Sequence, residues 1–302
     1  MQRGASGPFD IVFVGHYTKD TIVYPARRFT HDGGAYFFGA SVAARMGLRV
    51  AVVTRLAQED FGSFAPLQAL GVQVFPTATP HSTCLRLEYP TDNLDVRTLY
   101  VTESAGPFTG SEVEGIESRA FHVGASIRGE VPAQIVRMLK GKAEWVSLDV
   151  QGYVRINQDG LLATDDWPGK EEVLPLVDIL KADSVEAERL TGERDLRTAA
   201  SILASWGPRE VLLTHGGGIL VLAEGSFYEA PFVTDVVRGR SGRGDTCTAS
   251  YLSRRLSAPP ADAIVWAAAV TSMKLEKEGP FDRSLDDVEA LIRARYVDAA
   301  GR

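Results

Sequence analysis

Gly239-Arg-Ser-Gly-Arg-Gly-Asp-Thr-Cys-Thr-Ala-Ser-Tyr251 is a glycine-rich loop running into a helix-forming segment. Gly242 and Gly244 leave the backbone bare just before a helix predicted over 246–256, where unpaired N–H groups and the helix dipole attract an anion. Asp245 stands at the helix mouth. A carboxylate there can accept the proton of an attacking hydroxyl, while backbone amides stabilise charge developing on a transferred phosphoryl group. An aspartate N-cap after a flexible loop gives the same local pattern, so this run alone leaves both readings open.

Working outward, apolar runs of strand length at 9–15, 50–56, 72–75, 145–150 and 210–213 alternate with helix-period segments at 35–46, 61–70, 132–139, 196–206 and 261–274. Such alternation predicts an α/β fold, a doubly wound sheet covered on both faces in three α/β/α layers. Two stretches break the rhythm, at about 21–32 and 82–102. In the second, Cys84-Leu-Arg-Leu-Glu-Tyr89 and Thr98-Leu-Tyr-Val101 alternate in polarity, as strands with one wet face do. They predict a small β-strand lid inserted into a single domain spanning 1–302. Exposed lid strands also raise the expectation of a homodimer formed through the lid.

A net charge of -7 argues against a nucleic-acid partner, which needs clustered Lys and Arg. The opening residues contain no apolar core of signal-peptide length, and no later run approaches the roughly 18 apolar residues of a membrane span. Cys84 and Cys247 suggest neither a disulfide framework nor a metal site. Five histidines without paired spacing do not suggest zinc. A soluble cytoplasmic protein with no membrane partner is expected.

Several segments together resemble the ribokinase-like (PfkB) carbohydrate kinase family. The run 239–245 is similar to its second signature, D-T-x-G-A-G-D. Gly33-Gly-Ala-Tyr-Phe-Phe-Gly-Ala-Ser-Val-Ala-Ala-Arg-Met-Gly47 resembles the first, a glycine pair followed by a helix ending in Arg-Leu-Gly. Asp183-Ser-Val-Glu186 looks like the N-x-x-E segment, Gln58-Glu-Asp-Phe-Gly62 like the G-D-x-x-G turn, and Val211-Leu-Leu-Thr-His-Gly-Gly-Gly218 like the strand and loop that meet the nucleotide. The resemblance implies ATP-dependent transfer of a phosphoryl group to a hydroxyl of a small sugar, sugar acid or cyclitol. Asp245 would be the general base, with Gly242, Arg243 and Gly244 forming the anion hole. Asp20, Gly33, Gly34 and Phe38 would contact the acceptor, Thr214 and Gly216 the nucleotide. Glu186 and Asp183 would organise magnesium (Mg2+), the former through water.

The departures are specific. Phe38 stands where relatives carry an asparagine, Ala35 replaces a basic or polar residue, and Gly239-Arg240 replaces the leading Asp-Thr pair. The last change removes oxygen ligands associated with a monovalent cation in many relatives. Arg243 replaces the alanine between the glycines and adds a guanidinium that can grip phosphoryl oxygens in pairs. A nucleoside kinase, with Phe37 or Phe38 against a base, and a non-catalytic sugar-sensing regulator are the competing readings.

Overall fold

A computed structural model of the chain describes residues 7–91 and 96–296. The expected lid stretch 82–102 therefore includes four positions, 92–95, outside the described residues, as are both chain ends. Fifteen strands are present among them: β1 (Phe9–Val14), β2 (Thr18–Val23), β3 (Arg28–Gly33), β4 (Val50–Ala57), β5 (Gln73–Thr79), β6 (Thr83–Glu88), β7 (Thr98–Glu103), β8 (Ser118–Val123), β9 (Trp145–Asp149), β10 (Arg155–Gln158), β11 (Leu161–Thr164), β12 (Ile179–Asp183), β13 (Glu210–Thr214), β14 (Gly218–Ala223) and β15 (Ser226–Pro231).

Nine of them form the main sheet in the order β15-β14-β13-β12-β9-β8-β1-β4-β5. From β5 to β13 the strands are parallel, and β14 and β15 close one edge as an antiparallel hairpin. Strand β1 shows how the layers arise. Ile11 and Phe13 face a cluster that includes Phe38, Val42, Tyr251 and Ala267, whereas Val12 and Val14 face one that includes Ile135, Leu139, Ala187 and Leu203. Side chains alternate across a strand, so a continuous apolar run serves two helical layers at once. The result is the expected three-layer α/β/α arrangement.

The remaining six strands form a second sheet, β10-β11-β7-β6-β2-β3. It draws on 18–33 and 83–103, and also on the hairpin β10–β11, which lies outside the two stretches expected to form the lid. Asp159 (φ 51°) and Gly160 (φ 91°) turn that hairpin, the left-handed pair that an Asp-Gly two-residue turn adopts. Asp60 ties the sheets together: its carboxylate meets the Lys19 ammonium of β2 at 2.6 Å and accepts from the Ser82 hydroxyl at 2.5 Å.

In the main sheet β1 lies beside both β4 and β8, and the chain winds away from it in both directions. The carboxyl ends of an open parallel sheet near such a reversal are where ligands bind. Asp149, Asp183 and Thr214 end the adjacent strands β9, β12 and β13 there. No helix among the described residues is long and apolar enough to cross a membrane.

Candidate active site

The helix at the glycine-rich loop spans Arg243–Arg255, three residues earlier than predicted, so Asp245 lies inside its first turn. Gly242 is the N-cap with φ 74°, a left-handed conformation that glycine adopts without steric cost. A Cβ at Gly242 would also lie 2.3 Å from the Phe38 ring. Glycine is thus required twice, by its backbone angle and by the ring beneath it. The N–H groups of Gly244 and Asp245 have no carbonyl four residues back within the helix and remain available to an anion.

Beside this turn is a buried ammonium. A Cβ at Gly244 would be 3.1 Å from Lys181 Nζ. The same ammonium lies 3.0 Å from Asp149 Oδ2 and 3.5 Å from Glu186 Oε2. Burial alone would lower the Lys181 pKa, but Asp149 and Glu186 outweigh it and hold the side chain charged. Asp245 behaves in the opposite sense: burial, then the nearby Asp149 charge, pushes its pKa up to about 6, with Lys181 and Arg155 pulling the other way. A carboxylate with a pKa near 6 is a competent base at neutral pH and a better proton acceptor than an ordinary aspartate.

A cavity of about 420 Å³ opens in front of Asp245. Gly242, Arg243, Gly244, Thr214, Gly216 and Asp183 line it, together with Asp149, Lys181 and three more arginines, Arg97, Arg155 and Arg240. Arg97 and Arg155 come from the second sheet and the segment leading into it, so both sheets supply its charge. Cations outnumber carboxylates on the wall, the balance a polyanion needs.

Asp183 and Glu186 form a reciprocal cap on the helix Ser184–Thr191. Asp183 Oδ1 accepts from the N–H groups of Val185 and Glu186 at 2.9 and 2.8 Å, and Glu186 Oε2 accepts from the Asp183 N–H at 2.7 Å. Glu186 is only 5% exposed and does not reach the cavity wall. Burial raises its pKa, with Lys181 opposing. Among the described residues no group of three or more His, Cys, Asp or Glu side chains is arranged to ligate a metal directly.

The glycine pair lies at the foot of the second sheet. A Cβ at Gly33 would be 2.5 Å from Asp20 Oδ2 and 2.7 Å from Thr18 Oγ1, and Gly34 has φ 102° with the His16 carbonyl 2.4 Å from where a Cβ would be. Asp20 pairs with His31 across β2 and β3. Its Oδ1 is buried without a hydrogen-bond partner in the protein, and burial raises its pKa. Asp20, Gly33 and Gly34 line neither principal cavity. Phe38 lines a second, apolar one of about 410 Å³ with Ile22, Tyr24, Phe29, Phe37 and Tyr89, next to His31 and Asp32. Arg240 and Ser241 border both cavities.

Several residues here escaped the sequence reading. Lys181 interrupts an apolar strand, and Asp149 ends one; a charge in a buried strand and a carboxylate at a strand's carboxyl end were the available signals. Arg97 and Arg155 had none, because only the fold of the second sheet carries them to the cavity.

The sequence pattern of the pfkB family carbohydrate kinases matches residues 11–286. The chain belongs to the pfkB family of carbohydrate kinases. Among solved structures, this pfkB-family chain is similar to a pyrophosphate-dependent kinase of the ribokinase family in its sulfate complex, at 37% identity and a TM-score of 0.87, covering 93% of this chain and 99% of that one. The same coverage and identity, with a TM-score of 0.86, hold for a pyrophosphate-dependent kinase of the ribokinase family complexed with a pyrophosphate analogue and myo-inositol. A cytidine kinase of Thermococcus kodakarensis is 29% identical over 258 residues, 81% of this chain and 87% of that one.

Proposed function

We propose that the protein transfers a phosphoryl group from inorganic pyrophosphate to a hydroxyl of a cyclitol or similar small polyol. The observation that carries this reading is the cavity wall at Asp245, where Arg97, Arg155, Lys181, Arg240 and Arg243 converge on a space of about 420 Å³. A compact tetra-anionic donor suits five surrounding cations, and guanidinium groups hold phosphate oxygens in pairs. The likeness to a kinase that binds a pyrophosphate analogue and myo-inositol supports the same pairing of donor and acceptor.

In this mechanism the acceptor lies between the second sheet, acting as a lid, and the first turn of the helix Arg243–Arg255. The unpartnered Oδ1 of Asp20, at the foot of that sheet and outside both cavities, would reach an acceptor hydroxyl only on a shift of the second sheet. Asp245 takes the proton of the reacting hydroxyl as its oxygen forms the new bond to phosphorus. The bridging P–O bond breaks, and orthophosphate leaves. Gly242, Arg243 and Gly244 receive the negative charge of the transferred group, and Lys181 fixes positive charge beside them. Asp149 and Asp183 on the cavity wall fit a hydrated magnesium ion, which keeps several waters and needs few protein ligands. When bound, that ion supplies neutralising charge to the donor oxygens. Glu186 acts one step back, holding Asp183 and Lys181 in place.

ATP is the second donor reading, favoured by open space at Gly216, where no atom lies within 4 Å of a would-be Cβ. A nucleoside is the second acceptor reading. The aromatic walls of the apolar cavity, Tyr24, Phe29 and Tyr89 among them, favour it. Phosphorus NMR of the protein with magnesium, either donor, and a panel of cyclitols, sugars and cytidine tests the choice. Pyrophosphate with a cyclitol is expected to yield orthophosphate and a phosphomonoester. Product formed only from ATP and cytidine, or no product from any pair, would overturn the proposal.

A further inference from the structure

The helix Pro260–Leu275 ends beneath the glycine-rich loop. The N–H groups of Arg238 and Gly239 donate to the Leu275 carbonyl at 2.8 and 3.2 Å. A Cβ at Gly239 would be 2.3 Å from the Lys277 carbonyl oxygen, so the loop lies directly on the helix end. Lys274, on the last turn, is only 2% exposed. Its ammonium donates to the Gly239 carbonyl at 2.8 Å and more weakly to that of Lys277 at 3.5 Å. It also lies 5.8 Å from the centre of the Phe38 ring, the ring on which Gly242 packs.

A lysine near a helix C-terminus commonly serves its own last carbonyls from the surface. This one is buried and reaches into a different segment. Among the described residues no carboxylate is within salt-bridge distance of it, and burial lowers its pKa to about 8 against the attraction of Asp245 and then Glu278. A desolvated ammonium is costly and persists where surrounding dipoles replace its water. Here those dipoles are carbonyls of the loop and the helix end. The loop they belong to leads within three residues to the anion-binding turn.

We propose that the Lys274 ammonium is a built-in cation that holds the loop 239–242 in its anion-binding shape, making that shape independent of any added monovalent cation. Lys274 is a positioning residue; its relevance to phosphoryl transfer rests on the function proposed above, whereas its effect on the loop does not.

Amide hydrogen exchange of the full chain, followed in peptides covering 236–246, tests it without reference to turnover. In the unaltered protein, exchange is expected to be equal in potassium and tetramethylammonium at matched ionic strength. In Lys274→Ala these peptides are expected to exchange about tenfold faster, the effect of losing one charge-assisted hydrogen bond. Millimolar ammonium, but not tetramethylammonium, is expected to slow them again. A parental exchange rate in Lys274→Ala overturns the proposal, as does loosening that ammonium fails to reverse. If Lys274→Ala does not fold, the unaltered protein decides: slowing of its loop exchange by potassium shows that the lysine does not fill the role.

Discussion

In the proposed mechanism Asp245 is the base, and its surroundings leave it a stronger base than a free aspartate while keeping it ionised at neutral pH. Its folded pKa is raised to about 6, chiefly by burial and then by Asp149. The base works only unprotonated, so kcat/KM is expected to be level near pH 7.5 and to fall about tenfold per pH unit below about 6. Asp149→Asn removes the nearby negative charge and should move this acid limb to lower pH. A pH-rate profile that stays flat down to pH 5 contradicts the assignment. At this scale the sequence was half legible. The Gly-x-Gly-Asp run offered an anion-binding turn beside the plainer reading of an aspartate N-cap, and nothing in it pointed to Lys181. Asp149 illustrates the same limit: it meets Lys181 only because β9 pairs with β12, a contact between segments 32 residues apart.

The elements act by holding backbone in conformations that few residues tolerate. Gly242 combines positive φ with a ring packed against its Cα. Gly242→Ala is expected to destabilise the protein by about 1–3 kcal/mol, from left-handed strain plus displacement of the Phe38 ring. Denaturant unfolding measures this as a lower midpoint at unchanged slope. Adding Phe38→Ala to that variant removes the clash but not the strain, so the double variant should cost less than the sum of the two single changes. Strict additivity would show that the ring does not constrain the turn. Strands β1, β4, β5, β9 and β13 and most of the longer helices were legible because their periods differ, whereas β8 was not, since Ser118, Arg119 and His122 break its apolar run. Nor was strand β12, since Lys181 breaks its run, and β10–β11 carries only one signal, the Asp159-Gly160 turn between two four-residue strands.

At the scale of the whole molecule, a main sheet offers strand ends and a helix mouth, and a second sheet brings Arg97 and Arg155 against them. The general architecture could be read from alternation of strand and helix. The meeting of the two sheets could not, because it depends on contacts between segments far apart in sequence. That meeting produces the cation-walled space in which, on the proposed reading, Asp245 deprotonates an acceptor hydroxyl while pyrophosphate donates. The most direct measurement is phosphorus NMR of pyrophosphate, magnesium and myo-inositol with the parent protein and with Asp245→Asn. The parent is expected to convert pyrophosphate to orthophosphate and an inositol phosphate. Asp245→Asn should keep pyrophosphate binding and lose about a hundredfold to ten-thousandfold in turnover; turnover by Asp245→Asn within a few-fold of the parent would contradict the account.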